Sequence, residues 1–436
     1  MASFIINGGK RLKGVVIPQG AKNEALQVIS AVLLTEELVV IKNIPQISDV
    51  LSLIKILELL GVQVKKIDDN DYSFKAKNIN LDFFQTDTFS EKSSSLRGSI
   101  LLLGPILARF KKAYMHQPGG DKIGRRSLDT HFIALQELGA KFTTLEDKKT
   151  FVVDATKIKS GYILLEEASV TGTANVIMTT VLLKGTTTIY NAACEPYIQQ
   201  LCHMLNSMGA KISGISSNLL TIEGVESLGG TSHDILPDMI EVGSFIGLAA
   251  ITQSHLTIKN VKYNMLGVIP KAFKSLGIEI KRQDDDIIIP PQGIYKIHQP
   301  LDKNILTIYD APWPGLTPDL LSIILVTAIQ AKGTILIHQK MFESRLFFID
   351  RLIYMGAQII LCDPHRANVI GLAQTSKLKS TTMYSPDIRA GIALLIAALS
   401  AEGTSVIKNI EQIDRGYQDI DGRLNLLGAD INRVQI

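Results

Sequence analysis

The sequence predicts an α/β protein of six repeats, three in each of two domains. Three observations carry this. A glycine recurs six times in one local pattern. A turn followed by an alternating strand recurs with it. The segment that opens the apolar helix of each repeat differs between the first three copies and the last three.

The glycine pattern reads LELLGVQV, LQELGAKF, LNSMGAKI, FKSLGIEI, LIYMGAQI and LNLLGADI. Its glycines are Gly61, Gly139, Gly209, Gly277, Gly356 and Gly428, spaced 68 to 79 residues apart along the 436-residue chain. Internal periodicity of this kind is the signature of a repeat architecture. In each copy an amphipathic helix ends, glycine supplies a left-handed cap, and a strand begins. The turn-and-strand segments are EELVVIKN, the weaker KKAYMHQP, LKGTTTIYN, SHLTIKNV, AKGTILIHQ and AEGTSVIKN. Before each turn lies a second, more apolar helix, so each repeat holds two helices and several strands.

The apolar helices of the last three repeats open with Pro237-Asp238, Pro318-Asp319 and Pro386-Asp387, whereas the first three open at GAKNEA, SSLRGS and SVTGTAN. Proline suits a first helical turn, and aspartate there complements the helix dipole. Three and three repeats imply two pseudo-threefold domains. The N-terminal segment FIINGGKRLKGVVIPQ has the pattern of a strand that completes the last repeat. The predicted domains are therefore 22–235, and 1–21 with 236–436.

Composition bounds the function. Hydrophobic residues make up 46% and charged residues 20% of the chain, as in a globular protein with a large core. The net charge of +3 gives no reason to expect nucleic acid or a membrane surface as a partner. Cys194, Cys202 and Cys362 form no CxxC pair, which argues against a disulfide framework or structural zinc. The first ten residues lack the plan of a signal peptide. The apolar runs near 100–108 and 390–399 are too short to span a bilayer. A reducing cytoplasm is the expected compartment.

The unusual charges sit where buried helices begin. SILLLGPILARF, LLSIILVTAI and AGIALLIAAL are hydrophobic almost all round, which marks buried helices. Yet their openings, and those of their counterparts, carry Lys22, Arg97, Asp238, Asp319, Asp387 and Arg389. The aspartates suit either a cap or a site. Lys22 and Arg97 do not suit a cap, because a cation opposes the N-terminal dipole; with helix N-termini they attract anions. If several such ends face one cleft, they make an anion site. The segment HQPGGDKIGRRSLDTHF (116–132) adds three glycines and the three cations Lys122, Arg125 and Arg126. That is the composition of a mobile, phosphate-seeking lid, with 112–127 as its span. No Walker A or GxGxxG sequence is present, so nothing supports ordinary ATP or NAD binding.

At these residues the chain resembles the enolpyruvyl transferases, in the branch that acts on UDP-N-acetylglucosamine. The resemblance runs from end to end and is most specific in GAKNEAL (20–26), PGGDKIGRR (118–126), NAACEP (191–196), LPDMIE (236–241) and IDRGYQDI (413–420). It implies two inside-out α/β barrel domains, each with three repeats of two helices and a small mixed sheet. It implies phosphoenolpyruvate and UDP-N-acetylglucosamine as substrates, and no cofactor. By matched motif, Lys22 and Asn23 would contact both substrates. Arg97 and Arg126 would hold the nucleotide and the enolpyruvate phosphate. Arg389 and Arg415 would hold carboxylate and phosphate. Asp129, Ser169, Val170 and Met341 would line the uridine-diphosphate pocket, and Asp319 would take the proton of the attacking hydroxyl.

The chain departs from the family pattern in places. Most members carry cysteine where this lid has Asp121, which the resemblance makes the proton donor. In the family the epoxide of fosfomycin is opened by that cysteine, so aspartate implies insensitivity to the drug. Glu167 stands where lysine often approaches the diphosphate, and Met239 where arginine is common. Phosphoenolpyruvate carries two anions on one vinyl carbon, and addition across its double bond needs an acid and a base. An acid at Asp121 needs its pKa raised by roughly 3, about 4 kcal/mol of environmental bias. Two other readings compete. The shikimate-pathway enolpyruvyl transferase shares the donor, but its PGDKS-type motif is replaced here by GAKNEA. A non-catalytic repeat scaffold does not account for Lys22, Asp121, Arg126, Asp319 and Arg415 occurring together.

Overall fold

The computed structural model describes residues 2–435 except 117, 120–127, 146–149 and 344. The chain divides into two compact units whose boundaries fall at Gln19/Gly20 and Leu236/Pro237. The segment Gly20–Leu236 forms one unit; residues before and after it form the other.

All six repeat glycines have φ between 90° and 105°, the left-handed region in which a Cβ would be strained. Each ends a helix at a fixed point and turns the chain toward a strand. All six turn-and-strand segments are strands: Leu38–Lys42, Lys112–His116, Thr186–Tyr190, His255–Ile258, Thr334–His338 and Thr404–Lys408. Each lies in its own sheet. Five sheets have four strands, and the sheet around Lys112–His116 shows three among the described residues. Every four-stranded sheet is mixed, its repeat strand making one parallel pair and one antiparallel pair.

The N-terminal segment is two strands, not one. Ala2–Asn7 lies between Thr404–Lys408 and Ile431–Gln435 in the last sheet. Lys13–Val16 runs parallel to His255–Ile258 in the fourth. The Gly8-Gly9 pair between them breaks the extended run, Gly9 having φ 77°. The counterpart of Lys13–Val16 in the other unit is Thr231–Asp234, parallel to Leu38–Lys42. In each unit the first sheet thus takes its parallel edge strand from the stretch just before the chain leaves for the other unit.

The six apolar helices are α1 (Lys22–Ala31), α2 (Leu103–Phe110), α3 (Val170–Thr180), α4 (Met239–Ile251), α5 (Leu321–Ala328) and α6 (Ile388–Ser400). In the unit containing Pro237–Ile436, α4, α5 and α6 pack on one another and are buried along their whole lengths. The sheets lie outside them, each with one face buried in alternation. That is an inside-out barrel. The close approach of α4 needs its glycines, because a Cβ at Gly243 would run into Leu320 and one at Gly247 into Ile323 and Thr327. In the unit Gly20–Leu236, α2 packs on α3, while α1 packs on the turn 97–102 and on the helix Pro196–Ser207.

Two apolar helices are shorter than the sequence suggests. Residues Arg97–Leu102 form a 3-10 turn before α2, and Pro318–Leu320 form one before α5. In the first case Pro105 is the cause. It has no N–H to give to the carbonyl of Leu101, and its ring clashes there with a continuing α-helix. Among the described residues no helix is long and apolar enough to cross a membrane.

Candidate active site

Each unit carries its own cluster of charges. In the unit Gly20–Leu236, Lys22 opens α1 with no side-chain cap before it. Its Nζ lies 2.6 Å from Asp49 Oδ2, and both side chains are about nine-tenths buried. Asp49 stands in the first turn of the helix Ser48–Leu59, where its charge suits the dipole. A second pair lies beside it. Glu24 is fully buried, with His233 Nε2 at 2.8 Å and the Leu236 N–H donating at 3.2 Å. The opening of α1 is therefore tied to the last strand of its unit. Asn23 is half-buried on the same turn.

Arg97 opens the 3-10 turn and is half-buried. His131 lies in its field. Burial, and then the charge of Arg97, push His131 down to about 3, so this imidazole is neutral. Its tautomer follows from its neighbours. Asn175 Oδ1 accepts the Gly104 N–H, and Asn175 Nδ2 donates to the Ile100 carbonyl and to His131 Nδ1 at 2.8 Å. Nδ1 is thus an acceptor, and Nε2 carries the proton that reaches Thr171 Oγ1 at 3.0 Å. His131 thereby joins two helix openings. One is the helix Asp129–Glu137, which begins at exposed Asp129. The other is α3, which begins at Val170 with Ser169 as its cap, Ser169 Oγ accepting the Gly172 N–H. Glu167 accepts from Thr130 Oγ1 at 3.1 Å.

In the other unit the three Pro-Asp aspartates prove unlike. Asp238 caps α4 by accepting the Ile240 N–H. Asp387 caps α6 by accepting from Arg389 and Ala390 N–H. Asp319 caps nothing; Thr317 accepts its N–H instead. Its carboxylate lies between two guanidiniums, with Oδ1 2.8 Å from Arg345 Nη2 and Oδ2 3.0 Å from Arg389 Nη2. Burial alone would raise the Asp319 carboxyl, but Arg389 and Arg345 more than reverse this and hold it below the usual carboxylate range. Arg389 is buried, and its Nη1 reaches Tyr417 Oη at 3.4 Å, which meets Ser244 Oγ at 2.9 Å. Burial disfavours the Arg389 cation, but Asp319 and then Tyr417 raise its pKa, so it stays charged.

Arg345 spends only Nη2 on Asp319. Its Nε and Nη1 are buried with no hydrogen-bond partner. Sequence reasoning missed this residue, as it missed Asp49 and His131. Arg345 opens no apolar helix, and only its contact with Asp319 singles it out. Arg415 is half-buried and donates to Gln412 Oε1 at 2.8 Å. Met341 has an exposed side chain, but its N–H donates to buried Asp310 together with the Lys340 N–H and the Gln339 amide. Within this unit Asp319 and Arg389 meet directly. Asp121 and Arg126 lie outside the described residues.

The sequence matches the family described as EPSP synthase (3-phosphoshikimate 1-carboxyvinyltransferase) over residues 6–424. The chain therefore belongs to the enolpyruvyl transferase family. Its full-length relatives carry a more particular name. It is 64% identical to UDP-N-acetylglucosamine 1-carboxyvinyltransferase of Bacteroides thetaiotaomicron over 434 residues, with 100% of each chain covered. To the proteins of that name from Porphyromonas gingivalis and Borreliella burgdorferi it is 61% and 46% identical, again with 100% of both chains covered. Among solved structures the enolpyruvyl transferase NikO from Streptomyces tendae shares the fold, with TM-score 0.87 at 20% identity over 100% of this chain and 99% of that one. EPSP synthase from Acinetobacter baumannii does so with TM-score 0.74 at 17% identity over 100% of both.

Proposed function

We propose that the chain transfers the enolpyruvyl group of phosphoenolpyruvate to the 3-hydroxyl of UDP-N-acetylglucosamine and releases phosphate, the first committed step of peptidoglycan precursor synthesis. The observation that carries this reading is the full-length identity of 61–64% to relatives of that name. The reaction is an addition followed by an elimination. The acceptor oxygen bonds to C2 of phosphoenolpyruvate while C3 gains a proton. Loss of a proton from C3 then restores the double bond as phosphate leaves. The chain must neutralise two anions and supply one base and one acid.

Asp319 is the base in this reading. Its guanidinium neighbours keep it ionised and able to accept a proton, though weakly basic at rest. The buried, unpartnered Nε and Nη1 of Arg345 suit a planar or tetrahedral anion. When such an anion engages Arg345 and Arg389, their pull on Asp319 is shared and its basicity rises. Arg415 adds a further cation. Lys22, Asn23, Arg97, Arg126, Asp129, Ser169, Val170, Met341, Arg389 and Arg415 bind substrate in this reading. Asp121 is the acid. Cys194, Cys202 and Cys362 are in no disulfide among the described residues, which fits a cytoplasmic setting.

The test is phosphate release from phosphoenolpyruvate with either UDP-N-acetylglucosamine or shikimate 3-phosphate as acceptor. Release with the sugar nucleotide alone is the expected result. Release with the shikimate acceptor, or with neither, overturns the reading.

A further inference from the structure

Gln19 is the last residue before the chain passes into the unit Gly20–Leu236. It is buried, and every polar group it has is used within its own unit. Its N–H donates to Glu241 Oε2 at 2.6 Å, and its carbonyl accepts the Asp238 N–H at 2.8 Å. Its side-chain amide spans the chain around Tyr417. Nε2 donates to the Gly416 carbonyl at 2.8 Å, and Oε1 accepts the Gln418 N–H at 2.6 Å. Glu241 is anchored in turn by Arg423, whose Nη1 and Nη2 lie 2.6 and 3.2 Å from its two carboxylate oxygens. Arg423 also donates to the Ile17 carbonyl.

The two peptide groups held by Gln19 flank Tyr417. That residue's hydroxyl meets Arg389, which meets Asp319. Arg415 is the residue next to Gly416. The loop also lies against the start of α6, since a Cβ on Gly416 would run into Ile388. The loop is therefore held by the Gln19 amide and packed against the helix opening that carries Arg389. A side chain that satisfies one acceptor and one donor on a single loop fixes both its position and its rotation.

We propose that Gln19 is a positioning residue for the reaction. Its amide sets the 415–418 loop and through it orients Arg415 and the Tyr417–Arg389–Asp319 chain. This rests on the reading that Arg415 and Asp319 act on the enolpyruvyl donor.

The experiment compares Gln19→Met, Arg415→Ala and the double variant by steady-state kinetics on the full chain. Methionine keeps the volume of Gln19 and removes both side-chain bonds. Gln19→Met is expected to raise KM for phosphoenolpyruvate about tenfold, the scale set by two lost hydrogen bonds. KM for UDP-N-acetylglucosamine should stay within about twofold, a split that a general loss of structure would not give. The double variant should fall clearly short of the product of the two single effects, because only the Tyr417–Arg389–Asp319 chain is then left for Gln19 to position. An unchanged donor KM in Gln19→Met, both KM values rising together, or additive effects would each overturn the proposal. If Gln19→Met fails to fold, Gln19→Glu is read by the same criteria, since it keeps the acceptor and loses the donor. If Arg415→Ala leaves the donor KM unchanged, it is the assignment of Arg415 that fails.

Discussion

Asp319 and Arg345 are joined by a 2.8 Å ion pair that engages one guanidinium nitrogen and leaves two others buried and unpartnered. Buried polar groups in folded proteins are nearly always satisfied. An arginine left incomplete in this way, beside a carboxylate that caps no helix, separates Asp319 from the other two Pro-Asp aspartates.

Asp319→Asn should bind both substrates and lose most turnover. The amide keeps the shape but cannot take the hydroxyl proton. Substrate affinities by calorimetry and turnover by phosphate release check this, and wild-type turnover would sink the assignment of the base.

The same residue should shape acid stability. Its pKa is held below the unfolded value of about 3.9. Its contribution is therefore fully present above the unfolded value and is lost as pH falls through the folded one. Denaturant unfolding of wild type and Asp319→Asn between pH 6 and pH 2.5 should show a gap that is widest at pH 6 and closes toward acid. A gap that does not change with pH contradicts the Arg345–Asp319–Arg389 arrangement.

Lys22 and Asp49 allow fold and function to be separated. Asp49→Leu leaves the Lys22 charge buried without this partner and should cost about 3–5 kcal/mol. Adding Lys22→Met removes that charge and should restore most of the stability. Activity should not return, because Lys22 is proposed to bind substrate. Recovery of both in the double variant would make the pair structural alone.

Asp121, which the sequence leads one to expect in a lid, makes a chemical prediction. A carboxylate is a far weaker nucleophile toward an epoxide than a thiolate. The chain should therefore resist fosfomycin, and Asp121→Cys should stay active and become inactivated with time. Intact mass after preincubation with the drug and UDP-N-acetylglucosamine reads the adduct directly. An adduct on the unaltered chain would mean that another nucleophile reaches the drug.

The repeat plan was legible because it rests on local rules. A helix that ends on glycine and turns into a strand requires positive φ at that glycine, and Gly61 through Gly428 obey. The break before α2 was also within reach, since Pro105 forbids a continuous helix through Leu101. The division of labour among the aspartates was not. Asp238, Asp319 and Asp387 share one motif, yet two cap helices and one pairs with arginines. The difference depends on Arg345 and Arg389, far along the chain, and on whether Thr317 takes over the N–H that a cap would satisfy. His131 was hidden likewise, because its neutrality and tautomer come from Asn175 and Arg97.

The placement of the two N-terminal strands has a consequence for biosynthesis. Gly20–Leu236 is one unbroken stretch, and its sheets are complete once Thr231–Asp234 has been made. It can fold as it leaves the ribosome, as domains generally do. The nineteen residues ahead of it cannot. Lys13–Val16 must wait for His255–Ile258, and Ala2–Asn7 for Thr404–Lys408 and Ile431–Gln435. Ala2–Asn7, made well before either of its neighbours in the sheet, is thus among the last of the described strands to find its place.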